Sequence, residues 1–329
     1  MLSDKILGRY EPLIVQFNVT DRCNSSCRYC YATYYARGQA EMSTEQVFSI
    51  IDCLARRGAR RINLSGGEPL IREDIGKIIR RVKSYGMECV MNTNGLLIPE
   101  KIDDVRELDV VSISLDGDRE AHDANRGRGS FDKVMAAIDC VNENNIPLQV
   151  SVTLTKQNIG SISFLNDLAK ERGFNVWFSP LIKQKNQIND HISDCYCSDE
   201  EYRGALAGLD GVGYRLSANW PYPYHDNRVG VEVRGYPRCY AGKYFILIDS
   251  NGDIYPCCQT INEMKVKNIF KDGFDEAYKA INNHGCRNCS IPFNIELNRA
   301  LSLDVKCAVH LLSIYCFRGK NQGINVKKK

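Results

Sequence analysis

The chain has 329 residues, enough for one large domain with an appendage or for two domains. Its formal net charge of +3, from 43 basic and 40 acidic residues, is too small to favour a nucleic-acid or anionic membrane partner. No apolar run comes near the ~18 residues of a membrane span, and the N-terminus lacks the apolar core of a signal peptide. We therefore expect a cytoplasmic protein.

Segments with strand and helix patterns alternate over the first 180 residues. The patterns predict strands at 13–19, 61–64, 88–91, 110–115, 148–154 and 175–179, and helices at 43–57, 73–85, 131–141 and 162–171. Ser43 at the start of the first helix, with Gln46 three residues on, resembles a capping box. Such alternation is typical of parallel strands joined by crossover helices. Six units fall short of the eight of a closed barrel, so we predict an α/β fold, a partial (β/α)6 TIM-like barrel.

The pattern breaks after residue 180, and we divide the chain into a core barrel (1–180), a bridging segment (181–238) and a small α+β domain (239–329). The bridging segment is polar and rich in Tyr, Pro and Gly, and we expect it to line the active site. In the last domain, strands at 244–248 and 254–255 flank a turn sequence at 249–253, which predicts a hairpin, and a short helix follows at 274–281.

Fifteen cysteines are many for a cytoplasmic chain, and in a reducing compartment they favour metal or redox chemistry over disulfides. The first group, Cys23, Cys27 and Cys30, has the spacing C-x3-C-x2-C. An odd, tightly spaced set leaves one sulfur unpaired in a disulfide scheme, but it can hold three corners of a cubane iron–sulfur cluster and leave the fourth iron open to a small molecule. Zinc is the alternative, although zinc usually takes a fourth protein ligand and none lies nearby.

This loop, with Tyr29 before its last cysteine, resembles that of the radical S-adenosylmethionine (SAM) superfamily. Further motifs of that superfamily follow in order at predicted strand ends, namely Gly-Gly-Glu-Pro at 66–69, Thr-Asn-Gly at 93–95 and Ser-Ile-Ser-Leu-Asp-Gly at 112–117. The resemblance covers about residues 13–179. It implies SAM bound to the open iron of a [4Fe-4S] cluster, reductive cleavage to a 5′-deoxyadenosyl radical, and hydrogen abstraction from a substrate C–H bond. It also implies a reducing partner such as flavodoxin or ferredoxin.

The resemblance assigns cofactor contacts to residues that follow the strands. Gly66 and Gly67 would let the backbone approach the methionine part of SAM, and Glu68 would pair with its ammonium. The other implied contacts are Tyr29, Val152 and Leu154 near the adenine, Ser114 and Asp116 at the ribose hydroxyls, Asn94 on the carboxylate side, and Arg126 at the SAM carboxylate or a substrate anion. His122 and Arg126 are expected in a loop that resembles the superfamily's segment after the fourth strand. Purely structural roles remain open for Tyr29, Ser114, Asp116 and Arg126.

The second cysteine group resembles part of a SPASM domain. Cys239-x12-Gly252-x4-Cys257 matches its opening half and Cys286-x2-Cys289 the start of its closing half, while the next family cysteine position is Ile295. This is similar to the abbreviated Twitch form, which implies one auxiliary [4Fe-4S] cluster held by Cys239, Cys257, Cys286 and Cys289. Three alternatives stay open: Cys258 as a substitute ligand, Cys307 or Cys316 as late ligands, and zinc in place of the cluster.

The reaction class remains divided. A fully ligated auxiliary cluster suits electron transfer and a net oxidation, whereas a thiol that returns a hydrogen atom would give epimerisation. Cys195 and Cys197 are the candidate catalytic thiols, with ordinary loop or core cysteines as the alternative. We expect a small polar metabolite as substrate, because the first strand begins within about a dozen residues and leaves no leader-peptide module before it. Cross-linking or epimerisation of a ribosomally made peptide is the first alternative, and a non-catalytic zinc adaptor the second.

Overall fold

The computed structural model describes residues 10–30, 41–181, 190–206, 215–216, 239–261 and 263–282, together with positions 294, 297–298 and 301–302. Most of the bridging segment lies outside these described residues, as do the predicted ligands Cys286 and Cys289 and the alternatives Cys307 and Cys316.

Strands and helices alternate as predicted over the first 180 residues, and the strand bounds agree with the prediction to within two residues. The strands are β1 (Ile14–Thr20), β2 (Arg61–Gly66), β3 (Glu88–Thr93), β4 (Val110–Ser114), β5 (Leu148–Leu154), β6 (Asn175–Pro180), β7 (Arg215–Leu216), β8 (Phe245–Ile248) and β9 (Ile254–Tyr255). The helices are α1 (Thr44–Arg56), α2 (Ile75–Ser84), α3 (Ile102–Val105), α4 (Arg119–Arg126), α5 (Ser130–Glu143), α6 (Ile162–Arg172), α7 (Asp199–Leu206), α8 (Ile269–Asp272) and α9 (Phe274–Ile281).

The described strands form one sheet in the order β7-β6-β5-β4-β3-β2-β1-β8-β9. Every neighbouring pair is parallel except β8 and β9. The sheet is open rather than closed, so the predicted partial barrel is confirmed. Among the described residues, no helix is long and apolar enough to cross a membrane.

The predicted C-terminal hairpin is present, with Ile248 opposite Ile254 in an antiparallel pair. Its first strand also pairs in parallel with β1, in a register that runs from Ile14 opposite Phe245 to Phe17 opposite Ile248. The hairpin therefore extends the barrel sheet at the β1 edge. Because β1 leads directly into the cysteine loop, this pairing brings the C-terminal region beside the first predicted cluster site.

The helix termini explain one success and one error of the sequence analysis. Ser43 accepts a hydrogen bond from the backbone of Gln46, whose side chain accepts one from Ser43 N, so the predicted capping box of α1 is confirmed. His122 and Arg126, by contrast, were predicted to lie in a loop but belong to α4. That helix begins after Asp118, whose carboxylate caps it, and its side chains are mostly polar, so no hydrophobic period marked it.

The two faces of the sheet differ in chemistry. Side chains at alternating positions, such as Phe17, Ile62 and Val150, are fully buried against the helices. Burial of each such side chain contributes about 2 kcal/mol to folding. The intervening positions face the inside of the open barrel and are largely polar, which places the functional groups on the concave side.

Candidate functional site

The three cysteines of the first group line one cavity of ≈ 250 Å³ at the carboxyl ends of the strands. This is the end of a barrel at which ligands bind. The other lining residues are Ser25, Tyr29, Ser65, Gly66, Gly67, Asn92, Thr93, Asn94, Ser114, Arg126, Thr153, Ser179, Pro180 and Leu181. Three thiols around a shared space, with polar groups completing its wall, fit a cubane cluster that leaves one iron for a non-protein ligand.

The glycines at 66 and 67 fix the cysteine loop as well as lining the cavity. Gly67 N donates to Thr20 O at 2.9 Å, and Glu68 N donates to Arg22 O at 2.7 Å. A Cβ atom would lie 2.3 Å from Thr20 O if placed on Gly66, and 2.2 Å from Arg22 O if placed on Gly67. Both glycines are therefore required because the chain that leaves β1 packs directly on them.

Glu68 is buried and does not line the cavity. Its carboxylate accepts hydrogen bonds from Leu70 N at 3.1 Å, Thr93 Oγ1 at 2.8 Å and Asn94 N at 2.7 Å. Burial raises the pKa of this carboxyl group, and the three donors oppose that effect. In this structure Glu68 joins the ends of β2 and β3, and its pairing with the SAM ammonium stays a prediction.

Asn94 connects the end of β3 to the cysteine loop. Its side-chain amide donates to Asn24 Oδ1 at 2.7 Å and to Ser25 Oγ at 3.2 Å, and its nitrogen lies 4.0 Å from Cys23 Sγ. The side-chain oxygen accepts from Leu96 N. Asn94 thus orients the loop beside the first cysteine, and its predicted contact with the carboxylate side of SAM is untested.

Tyr29, Asp116 and Arg126 form a buried network next to the second cysteine. The Tyr29 hydroxyl donates to Asp116 Oδ2 at 2.7 Å, Arg126 Nε donates to the same oxygen at 2.6 Å, and Arg126 Nη2 contacts the Tyr29 hydroxyl. Arg126 Nη1 lies 3.9 Å from Cys27 Sγ. Burial raises the pKa of the Cys27 thiol, and the charge of Arg126 lowers it. Asp116, Tyr29 and Arg126 therefore contact one another, although the sequence predicted separate roles for them at the ribose, the adenine and an anion.

His122 supports this network from beneath. Asp116 N donates to His122 Nδ1 at 3.1 Å, so the neutral ring carries its proton on Nε2, which has no hydrogen-bond partner among the described residues. Burial, followed by the nearby charge of Arg126, lowers the pKa of His122 to about 4. The imidazole is therefore neutral at physiological pH. It holds the backbone of Asp116 and so helps to position the Asp116 carboxylate.

The fifth strand differs from the prediction. Ser114 lines the cavity as expected, but Val152 and Leu154 are buried in the hydrophobic core on the outer face of β5. Thr153, between them, lines the cavity. The alternation of side chains along a strand sends neighbouring residues to opposite faces, so Thr153 faces the cavity while Val152 and Leu154 face away from it. The contact of Val152 and Leu154 with the adenine stays a prediction.

The candidate thiols Cys195 and Cys197 are both buried, and neither lines the cavity. Cys195 packs in one cluster with Tyr29 and Leu181, which do line it. Cys197 packs instead against the main core near Tyr202. Of the two, only Cys195 adjoins the wall of the site.

In the C-terminal region, Cys239 and Cys257 pack against the same hydrophobic cluster, which includes Tyr240 and Tyr244. Cys258 packs against a different cluster, formed around Leu247, Tyr255 and Ile261. Asn298 Nδ2 donates towards Cys239 Sγ at 3.6 Å. Cys239 therefore shares its hydrophobic neighbours with Cys257 and not with Cys258, while the predicted partners at 286 and 289 lie outside the described residues.

Several lining residues escaped the sequence analysis, among them Ser25, Ser65, Asn92, Thr153 and Ser179. One signal was available for most of them. Polar residues that alternate with buried apolar ones near the carboxyl end of a predicted barrel strand face the inside of the barrel.

Comparisons with known proteins agree with this site. A model of the radical SAM superfamily matches residues 17–168, and a model of an iron-sulfur cluster-binding domain, SPASM, matches residues 239–290. Mycofactocin maturase MftC of Mycolicibacterium smegmatis is 30% identical over 274 residues, which cover 81% of this chain and 69% of the relative. AdoMet-dependent heme synthase of Nitratidesulfovibrio vulgaris is 31% identical over 290 residues, which cover 81% of this chain and 78% of the relative.

The fold is also that of Streptococcus suis SuiB bound to its precursor peptide SuiA, with a TM-score of 0.68 at 18% identity, covering 89% of this chain and 73% of that one. The cofactors are accordingly a SAM-binding [4Fe-4S] cluster, an auxiliary iron–sulfur cluster and SAM. The motif order, the three-cysteine cavity and these matches agree, and the chain belongs to the radical SAM superfamily.

Proposed function

We infer that this radical SAM enzyme modifies a ribosomally synthesised peptide, by cross-linking or by epimerisation. This places the peptide ahead of the small polar metabolite that the sequence favoured. That expectation depended on the early start of β1, which does not bear on a leader-binding module supplied by a separate protein. One relative is named a maturase and a solved structure of the same fold holds a precursor peptide.

The observation that carries the proposal is the charge of the cavity. Among the described residues that line it, Arg126 alone has a permanently charged side chain, and that guanidinium is paired with Asp116. A carboxylated porphyrin, the kind of substrate suggested by the heme synthase relatives, would need cationic partners for its acid groups. A peptide segment needs neutral donors and acceptors, which the cavity offers.

When bound, the cluster and SAM supply a one-electron reductant and a source of a carbon radical. The residues of the chain would hold and orient these groups: Asn94 and Arg126 flank the cysteine sulfurs, and Glu68 joins the ends of β2 and β3. The outer apolar face and its helices exclude water from the barrel wall.

The test is an anaerobic assay of the reconstituted protein with SAM and reduced flavodoxin. Candidate peptides, translated from short reading frames next to the gene, and a carboxylated iron porphyrin serve as competing substrates. We expect 5′-deoxyadenosine together with a modified peptide, detected by mass spectrometry. Turnover of the porphyrin with an unchanged peptide would reject the proposal.

Epimerisation and cross-linking can be separated through Cys195, which adjoins the cavity wall through Tyr29 and Leu181. If a thiol returns the hydrogen atom, product made in D₂O carries deuterium at the modified carbon, and Cys195→Ala abolishes that label. Cys197→Ala is the matched control, because Cys197 packs in the core away from the cavity. Full labelling in both variants excludes Cys195 as the donor.

A further inference from the structure

A row of uncharged polar residues crosses the concave face of the sheet. Its members occupy neighbouring register positions on β1 to β6: Asn18 pairs with Ser65, Asn92 with Ser112, Ser112 with Gln149, and Gln149 with Asn175. Leu64 of β2 pairs with Met91 of β3, so the residues that follow them, Ser65 and Asn92, are also neighbours, and this completes the row. We call Asn18, Ser65, Asn92, Ser112, Gln149 and Asn175 the polar row.

The polar row has a composition that destabilises a sheet. Asn is depleted in strands, and the interior of a small barrel is usually filled by branched apolar side chains. Neighbouring residues on the opposite face follow the usual rule, since Phe17, Leu64 and Met91 are apolar and fully buried. A polar group placed inside a fold destabilises it unless a hydrogen bond compensates. Such a local departure from the packing rules is expected where a sheet has a function.

The central member of the row is available to a ligand. Asn92 is exposed although β3 has a hydrogen-bonded strand on each side. Within the described residues, neither Asn92 nor Gln149 has a hydrogen-bond partner for its side-chain amide. Ser65 and Asn92 also line the cavity that holds the three cysteines. Free donors and acceptors therefore extend from the cavity along the sheet.

The chemistry of these groups selects a class of substrate. A primary amide offers two donors and an acceptor without charge, and a peptide bond presents one donor and one acceptor. We propose that Asn92 and Gln149 of the polar row bind main-chain amides of the substrate peptide, and that Asn92 is a specificity-determining residue that places one residue of the peptide at the cavity. This inference rests on the proposed peptide substrate.

The test measures binding and turnover of the same candidate peptides, translated from short reading frames next to the gene. Asn92→Leu and Gln149→Met remove the amides at nearly constant size. Asn142→Leu is the matched control, because Asn142 lies on α5 and its amide contacts Arg172 O in the helix layer rather than the concave face of the sheet. We expect the peptide Kd of the SAM-bound, unreduced protein, measured by calorimetry, and the peptide KM to rise about tenfold or more in each row variant. The control should stay within about twofold. Circular dichroism and iron content establish that each variant is folded and loaded.

Three outcomes are distinguishable. Weakened peptide binding in both row variants supports the inference. If the wild type binds and modifies the peptide while both variants retain its Kd and KM, the polar row is not the binding surface, although the proposed function stands. If the wild type neither binds nor modifies the peptide, the proposed function and this inference are both rejected.

Discussion

Asn18 in β1 donates its side-chain amide to the carboxylate of Asp249, beyond the end of β8, over 3.0 Å, although 231 positions separate the two residues. Both side chains are buried. The next residue repeats the connection, because the Ser250 hydroxyl donates to Asp21, two positions before the first cysteine. The C-terminal hairpin is thus bonded to the start of the loop that carries the SAM-binding cluster.

Asn18→Leu should destabilise the protein by about 2 kcal/mol, because a buried carboxylate loses a hydrogen-bond donor. Denaturant unfolding of Asn18→Leu, Asp249→Leu and the double variant gives the coupling free energy between the two side chains. We expect the double variant to lose less stability than the sum of the single variants. Simple additivity would show that this bond does not connect the hairpin to β1.

Arg126→Gln should lower the midpoint potential of the SAM-binding cluster. The guanidinium lies 3.9 Å from Cys27 Sγ, and a positive N–H donor near a cluster thiolate favours the reduced, more negative cluster. Loss of about 1.4 kcal/mol of this interaction corresponds to about 60 mV for a one-electron couple. A redox titration followed by EPR measures the shift, and Arg126→Lys should show a smaller one.

Arg119→Gln is the control for this experiment, seven residues earlier on α4. Arg119 pairs with Asp132 at the surface, where both side chains are more than half exposed and such a pair contributes little. Its potential should equal that of the wild type. An unchanged potential in a fully iron-loaded Arg126→Gln protein contradicts the prediction.

His122 should make the protein less stable as the pH falls from about 6.5 to about 4. The pKa of the folded-state imidazole is lowered to about 4, whereas the unfolded chain takes up a proton near pH 6.5, so protonation first favours the unfolded state. The expected loss over this window is about 3 kcal/mol, and no further loss from this group follows below it.

His122→Asn checks this assignment. The asparagine oxygen can accept the hydrogen bond from Asp116 N but does not titrate. The variant should be less stable at neutral pH, because a smaller side chain leaves a cavity beside Phe131. Its free energy of unfolding should nevertheless fall less between about pH 7 and pH 5 than that of the wild type. Equal slopes would assign the pH dependence to other groups.

The barrel strands were predictable because each alternates buried apolar residues, which face the helices, with more polar ones, and each lies between turn residues. On β5 the sequence did not show which side chains face the cavity. Val152 and Leu154 are as apolar as a pocket for adenine would require, yet they belong to the core. Helix α4 carries His122 and Arg126 but lacks an apolar period, since its buried residues include Asn125 and form polar contacts. The pairing of β8 with β1 depends on contacts between distant segments, which no local pattern encodes.

Gly67→Ala should reduce the iron content of the SAM-binding site. The added methyl group would lie 2.2 Å from Arg22 O, so the segment entering the cysteine loop must move, at a cost of about 1–3 kcal/mol. Gly160→Ala is the matched control, because a Cβ atom there meets nothing within 4 Å. Iron analysis after anaerobic reconstitution, with EPR in the presence of SAM, measures the effect. A Gly67→Ala protein with wild-type iron and an unaltered SAM response would show that the loop tolerates the displacement.

The neighbouring pair Cys257 and Cys258 allows a test of the auxiliary site. Cys257 packs against the same hydrophobic residues as Cys239, whereas Cys258 packs against a separate group around Leu247, Tyr255 and Ile261. We therefore expect Cys257, and not Cys258, to share an iron–sulfur cluster with Cys239. With two [4Fe-4S] clusters the wild type should bind about eight iron atoms per chain. Cys257→Ser should retain about four and Cys258→Ser about eight, while both keep the EPR response of the first cluster to SAM. The reverse pattern would show that Cys258 is the ligand. Stoichiometric zinc in the wild type would show that this site is a structural zinc site and not an auxiliary cluster, because four cysteines can bind either one.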